Sequence, residues 1–191
     1  YIKPKRLKVF LRQVIQLTAR KIIFVSKTVK EAEAFEDKLQ FLLPNSLPDD
    51  WIQFAKNHKY KSIHGTNFNV LMISSLKIYK GVNEFVELAT LMQHEINFKF
   101  TLILNASKHE INDFFKARIL PKNLNLINKK KDVKPFMQEA SLVLNLSRPN
   151  ECIETFGLTI LEALAFGIPV IVPPVGGPSE MVTDGQEGFL L

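Results

Sequence analysis

The chain has 191 residues, enough for one complete domain and part of another. At 46% hydrophobic and 23% charged it is ordinary globular material, and its single cysteine, Cys152, excludes an internal disulfide and fits a reducing compartment. The net charge of +6 is uneven: residues 1–30 hold nine Lys and Arg and no acid, and the rest holds 16 basic and 19 acidic residues, which argues against a nucleic-acid footprint over the main fold.

Residues 4–20 read as a helix, with Leu7, Phe10, Leu11, Val14 and Leu17 on one stripe and Lys5, Lys8, Arg12 and Gln16 off it. Lys21–Val25 reads as a short strand, and Ser26 caps a helix through about Lys38. Gln40–Leu43 is a further apolar run. Residues 44–68 hold prolines and polar residues without a clean period and read as linker with irregular structure. From Asn69 the pattern becomes a strict alternation. Strands fit 69–74, 99–104, 123–127, 141–146, 169–172 and 188–191; helices fit 80–93, 108–118, 132–139, 157–166 and 178–183. The strands are continuous apolar runs, so both sheet faces should be covered. The expected fold is α/β, a doubly wound parallel sheet, with its ligand beyond the carboxyl ends of the strands. No apolar run approaches the roughly 18–20 residues of a membrane span. The opening residues lack the apolar core of a signal peptide, and without an initial Met they read as cut from a longer chain.

The richest segment runs from Glu154 to Glu180. Glu154 and Glu162 stand eight residues apart, with Phe156-Gly157-Leu158 between them at a helix start. Backbone N–H groups at such a start suit an anion. Gly176-Gly177-Pro178 offers the same device at the next helix. Lys80 precedes Gly81 in the turn after the strand at 69–74. No G-x-G-x-x-G follows that strand, which disfavours a dinucleotide fingerprint. The histidines (His58, His64, His94 and His109) do not cluster with carboxylates or with Cys152, and no D-x-D pair is present.

These landmarks, in this order, resemble the donor-sugar half of retaining glycosyltransferases of the GT-B fold, sequence family 4. Ala19–Ser26 resembles the late strand of the acceptor domain, and Leu42-Leu43-Pro44-Asn45 the crossing between domains. Ser75–Gly81 resembles the phosphate-contacting turn, Phe136–Asn145 the helix and strand before the donor site, and Gly176-Gly177 through Glu180 the closing turn. The resemblance implies three parts: 1–43 as the tail of an acceptor domain, 44–68 as linker, and 69–191 as a Rossmann-like donor domain truncated at its C-terminal helices.

The resemblance also assigns roles. Glu162 would accept hydrogen bonds from the nucleotide ribose. Glu154 would face the donor sugar and stabilise the positive charge that develops at its anomeric carbon, making it the catalytic candidate. Lys80 would meet the diphosphate as a point charge. Phe156, Gly157, Leu158, Gly176 and Gly177 would line the donor, and Asn128 and Lys129 would lie near the nucleobase. The sequence departs from the family at Ser74-Ser75, where Gly-Arg is usual; Ser75 keeps one neutral donor, and Lys77 is the candidate replacement cation.

The implied function is a retaining transfer of sugar from a nucleoside-diphosphate sugar to a glycan or lipid-linked acceptor, in surface polysaccharide assembly. No metal and no cofactor are expected. The implied setting is cytoplasmic, with peripheral membrane contact through residues 4–20, and residues 1–191 alone are expected to be inactive. Two alternatives remain open: a noncatalytic nucleotide-sugar-binding module, and a GT-B epimerase or phosphorylase.

Overall fold

The computed structural model describes residues 5–58, 60 and 67–191. Lys3 of the basic segment, the first residue of the helix expected over 4–20, and residues 59 and 61–66 of the stretch read as linker, His64 among them, lie outside those residues.

Six strands form one parallel sheet: β3 (Phe68–Ser74), β4 (Phe98–Leu104), β5 (Leu124–Asn128), β6 (Leu142–Leu144), β7 (Val170–Val172) and β8 (Gly188–Leu190). Their spatial order is β5-β4-β3-β6-β7-β8. The chain enters at the centre, builds outward to β5, then returns to lay β6 on the other side of β3. The strand order reverses there, and the loops leaving the carboxyl ends of β3 and β6 diverge to form a crevice. The α/β doubly wound reading holds.

Alternation along each strand sends neighbouring side chains to opposite faces. Val70, Met72, Phe100, Leu102 and Leu104 pack on one face with α4 (Val82–Leu91) and α5 (Lys108–Phe115). Leu71, Ile103, Val143, Val170 and Val172 pack on the other with α3 (Asp49–Asn57), α6 (Lys134–Glu139) and α7 (Leu158–Phe166). The continuous apolar character of these strands follows from this double coverage.

The N-terminal segment makes a separate two-stranded sheet. α1 (Lys5–Thr18) leads into β1 (Lys21–Phe24), α2 (Lys27–Glu33) and β2 (Leu39–Leu42), with β1 and β2 parallel. Ser26 caps α2 as expected, accepting from the Val29 amide. Lys8 and Arg12 pair with Glu33, and Arg12 also lies 4.4 Å over the Phe35 ring. Those two cations pair with Glu33 while remaining about half exposed, and Leu7, Phe10, Val14 and Leu17 are exposed as well.

Three expectations are corrected. α2 ends at Glu33 and not near Lys38, because the chain turns to bury Phe35, and the Gln40 amide then bonds both the N–H and the C=O of Phe35, at 3.1 and 2.9 Å. The stretch at 44–68 carries α3, which packs Trp51 edge-on against Phe166 at 6.0 Å; Asp49 and Asp50 in its first turn complement the helix dipole. Residues 178–181 form one 3-10 turn and not an α-helix, since Val182 is already extended on the way to β8.

Candidate donor site

Two loops meet over the crevice. The first leaves β3 through Ser74 and Ser75, makes a 3-10 turn at Ile78–Lys80, and enters α4 at Gly81. Gly81 has φ +78°, and a Cβ there would collide with the backbone oxygen of Leu146 in the second loop. Only glycine permits that approach. The second loop leaves β6 at Asn145, carries Ser147 and Glu154, and enters α7 after Gly157.

The loops place Lys80 against Glu154 as a part-buried ion pair, with side chains 20% and 25% exposed. The buried Ser147 hydroxyl reaches the same Glu154 oxygen at 3.5 Å. Sequence reasoning treated Lys80 and Glu154 as separate contacts to diphosphate and sugar; in the structure they neutralise each other.

Behind Glu154 the chain doubles back. The Gly177 amide donates to the Glu154 carbonyl at 2.9 Å, and Gly176, at φ +95°, would set a Cβ 2.6 Å from that same oxygen. Phe156 and Gly157 are buried beneath Gly177 and Pro178, and Leu158 is half exposed at the start of α7. The Gly176-Gly177 turn thus supports the Glu154 loop from behind. It opens a single 3-10 turn, which has too few aligned peptides to act as the second helix start that the sequence suggested.

Glu162 lies on α7 one turn in from Leu158, half-buried and without a hydrogen-bond partner among the described residues. Burial raises its carboxyl to about 7. A desolvated carboxyl without a partner is suited to a ligand bearing hydroxyls, whose donors would favour its ionised form.

The remaining candidates are more dispersed. The Ser75 carbonyl accepts from the Lys77 amide and the Ser74 hydroxyl, and fixes the turn. Lys77 is exposed and close enough to Glu110, in the first turn of α5, to help lower that carboxyl, behind the larger effect of the Ser107 hydroxyl and amide. No hydrogen bond or ion pair among the described residues joins the Lys77 side chain to the Lys80–Glu154 pair. Asn128 and Lys129 end β5 at the sheet edge, two strands from β3, where the Lys129 amide donates to Ala106 O at 3.3 Å. They are on the carboxyl-end rim but do not touch the pair. Among the described residues, no three His, Cys, Asp or Glu side chains gather as metal ligands would, and no helix is long and apolar enough to cross a membrane.

Sequence reasoning missed two site-loop residues. Ser147 and Arg148 follow directly on β6, the strand beside the order reversal, and that position was the available signal. Glu180, in the turn after Gly176-Gly177, reaches across to α2. It accepts from the Lys27 amide at 2.9 Å and from the Thr28 amide and hydroxyl at 2.7 Å each.

Comparison with known proteins agrees with this architecture. HepE of Anabaena, solved in complex with UDP and glucose, superposes with a TM-score of 0.77 at 21% identity, over 100% of this chain and 54% of HepE. WaaG, a glycosyltransferase involved in lipopolysaccharide biosynthesis, superposes at 0.64 with 19% identity over 90% of this chain and 49% of WaaG. Among curated relatives, N-acetyl-alpha-D-glucosaminyl L-malate synthase of Bacillus anthracis is 29% identical over 63% of the chain, and D-inositol 3-phosphate glycosyltransferase of Paenarthrobacter aurescens is 25% identical over 71%. The chain spans only 31% and 34% of those two relatives. The profile of the family "Glycosyl transferases group 1" matches residues 53–191, most of the chain, and the chain belongs to that family.

Proposed function

We propose that this chain is the donor-binding half of a retaining glycosyltransferase of sequence family 4, which takes a sugar from a nucleoside diphosphate and passes it to a glycan or lipid-linked acceptor in surface polysaccharide assembly. The observation that supports this best is the Lys80–Glu154 pair set over the strand-order reversal, with the unpartnered Glu162 on the following helix. HepE, whose fold this chain shares, binds UDP and glucose. Residues 69–191 would be the donor domain, 44–68 the connection and 1–43 the end of the acceptor domain, with the reaction inside the cell. Without an acceptor domain to position the second substrate and exclude water, residues 1–191 would bind donor and transfer little.

The chemistry follows from the pair. Before donor arrives, Lys80 and Glu154 offset each other's charge. The diphosphate, with more negative charge than one carboxylate, draws the Lys80 ammonium toward the leaving group. Glu154 is then left beside the sugar, where a fixed carboxylate stabilises the oxocarbenium-like transition state. Lys80 and the amides at the start of α7 supply the positive charge for the diphosphate, and no metal or other cofactor is invoked. Glu162 would receive the ribose hydroxyls as a carboxylate. Any membrane contact of α1 would run through its exposed apolar edge, since Lys8 and Arg12 are engaged with Glu33. Vesicle binding should then be insensitive to neutralising those two cations.

Calorimetry with UDP, GDP, ADP and their sugar conjugates tests the assignment. Glu162→Gln should weaken nucleotide binding roughly tenfold to a hundredfold, the worth of a charge-assisted hydrogen bond of about 1.5–3 kcal/mol. Lys80→Ala should weaken diphosphates and spare the bare nucleoside. Lys77→Ala should cost less than Lys80→Ala, with Lys122→Ala as the surface control. Glu154→Gln frees Lys80, so diphosphate binding should hold or tighten while transfer by the full-length enzyme falls. Wild-type affinity in both Lys80→Ala and Glu162→Gln would remove the donor from this crevice.

A further inference from the structure

Lys80 and Glu154 belong to different loops, so their pairing needs something that holds the loops in register. One side chain spans the gap. The Arg148 guanidinium donates through Nε to Glu84 Oε1 at 2.6 Å, places Nη2 2.5 Å from the same oxygen, and donates through Nη1 to Glu151 Oε1 at 2.7 Å. Glu84 sits in the first turn of α4, directly after Lys80 and Gly81. Glu151 sits in the excursion that leads to Glu154, and the amides of Glu151 and Cys152 both return to the Arg148 carbonyl, at 3.1 and 3.0 Å. The Arg148 amide itself donates to Tyr79 O at 2.8 Å, next to Lys80.

Backbone contacts hold the two ends of the excursion, the Arg148 amide on Tyr79 O at its base and the Gly177 amide on the Glu154 carbonyl at its far end. A cavity of about 230 Å³ is lined by Glu84, Asn145, Ser147, Arg148, Ile171 and Pro173. Beside that cavity the ionic fork adds a side-chain tie between the start of α4 and the excursion. Glu84 Oε2 is buried without a partner, so the carboxylate depends on Arg148 for its neutralisation. Both side chains are more than a third exposed, so the bridge contributes little to global stability. Its consequence is geometric. The planar, five-donor guanidinium engages two carboxylates at once, which the single ammonium of a lysine does less well.

We propose that Arg148 is a positioning residue: by bridging Glu84 and Glu151 it holds the Glu154-bearing loop against the Lys80 turn, and so sets the contact to the donor sugar without itself touching the diphosphate. This rests on the reading of Glu154 as the sugar-facing carboxylate.

Two readouts on residues 1–191 decide it, one independent of any ligand. In Arg148→Ala, amide hydrogen exchange across 149–156 should speed up at least about tenfold while Phe85–Ala89 of α4 keeps its protection. In the same variant, Kd for UDP, GDP or ADP should stay within about threefold, while the extra affinity of the matching nucleotide sugar over the bare diphosphate is lost. Arg148→Lys should fall between parent and Arg148→Ala, and Glu84→Gln, which keeps the shape of the partner and removes its charge, should reproduce the faster exchange if Arg148→Ala folds poorly. Unchanged exchange at 149–156 in both Arg148→Ala and Glu84→Gln overturns the proposal. Equal loss of bare diphosphate and nucleotide sugar also overturns it, because Arg148 would then be a phosphate ligand. If the parent binds no nucleotide of the panel, the donor reading fails, and the exchange result still decides whether Arg148 brackets the loop.

Discussion

The two sheets of this molecule are both parallel and both βα-built, yet they are stabilised differently. In the six-stranded sheet the central strands are sealed on both faces: Phe100, Leu102 and Leu104 on one face have no exposure, and Leu71 and Ile103 on the other are each 2% exposed. In the two-stranded sheet Ile23 and Leu39 are each 60% exposed, and Phe41 is 47% exposed. A pair of strands has too little surface to bury itself, and its parallel geometry adds no compensation. That unit is instead tied down by polar contacts, from Lys8 and Arg12 to Glu33 within it and from Glu180 of the larger unit to the start of α2. Contiguous exposed apolar surface of this kind marks a face that meets another surface.

The largest effect should separate the two sheets by core deletion. Phe100→Ala removes a fully buried ring that packs edge-on against Phe85 at 5.7 Å, and should cost about 3–5 kcal/mol in urea unfolding. Phe41→Ala, the same change in the small sheet, should stay within about 0.5 kcal/mol. Similar losses at both positions would mean that the small sheet is buried in solution.

The second effect is a pH slope in the large unit. Between the ordinary 4.5 and its folded value of about 7, Glu162 is protonated in the folded chain and ionised in the unfolded one. Stability should therefore decline as pH rises through that window and level off above it. Glu162→Gln, neutral throughout, should flatten the decline, and a parent whose stability is unchanged from pH 5 to 7.5 would contradict the burial of that carboxyl.

The smallest effect lies at the junction, with the opposite sign. Burial raises the Glu180 carboxyl, but the bonds from Thr28 and Lys27 outweigh it and the group titrates below 4.5. Its contribution is then fully present above 4.5 and is lost as pH falls through the lowered value. Glu180→Gln should cost about 0.5–1.5 kcal/mol at neutral pH, discounted because the site is mostly exposed, and should remove part of the acid-side loss. Exchange at the amides of Lys27 and Thr28 should rise in that variant while β3 and β4 are untouched; a change spread equally over both sheets would show that the units do not unfold separately.

The sequence by itself determined the class of the fold and singled out candidate site residues. Continuous apolar strands alternating with helices can be satisfied only by a sheet covered on both sides, so the six strands fall within a residue or two of their expected positions. Lys80 and Glu154 stood out as candidates in loops at strand ends, and Glu162 by its spacing from Glu154 on the following helix, with their roles drawn from the family resemblance. Helix α3 was not, because flanking prolines hide a two-turn amphipathic stretch whose helicity depends on Trp51 and Phe54 meeting Phe166 from a distant part of the chain. Only the tertiary structure decided that Lys80 and Glu154 pair, that Arg148 meets both Glu84 and Glu151, and that Lys8 and Arg12 meet Glu33. Such contacts join residues tens of positions apart through side-chain reach, and the spacing of residue types along the chain does not encode which distant partner each charge will meet.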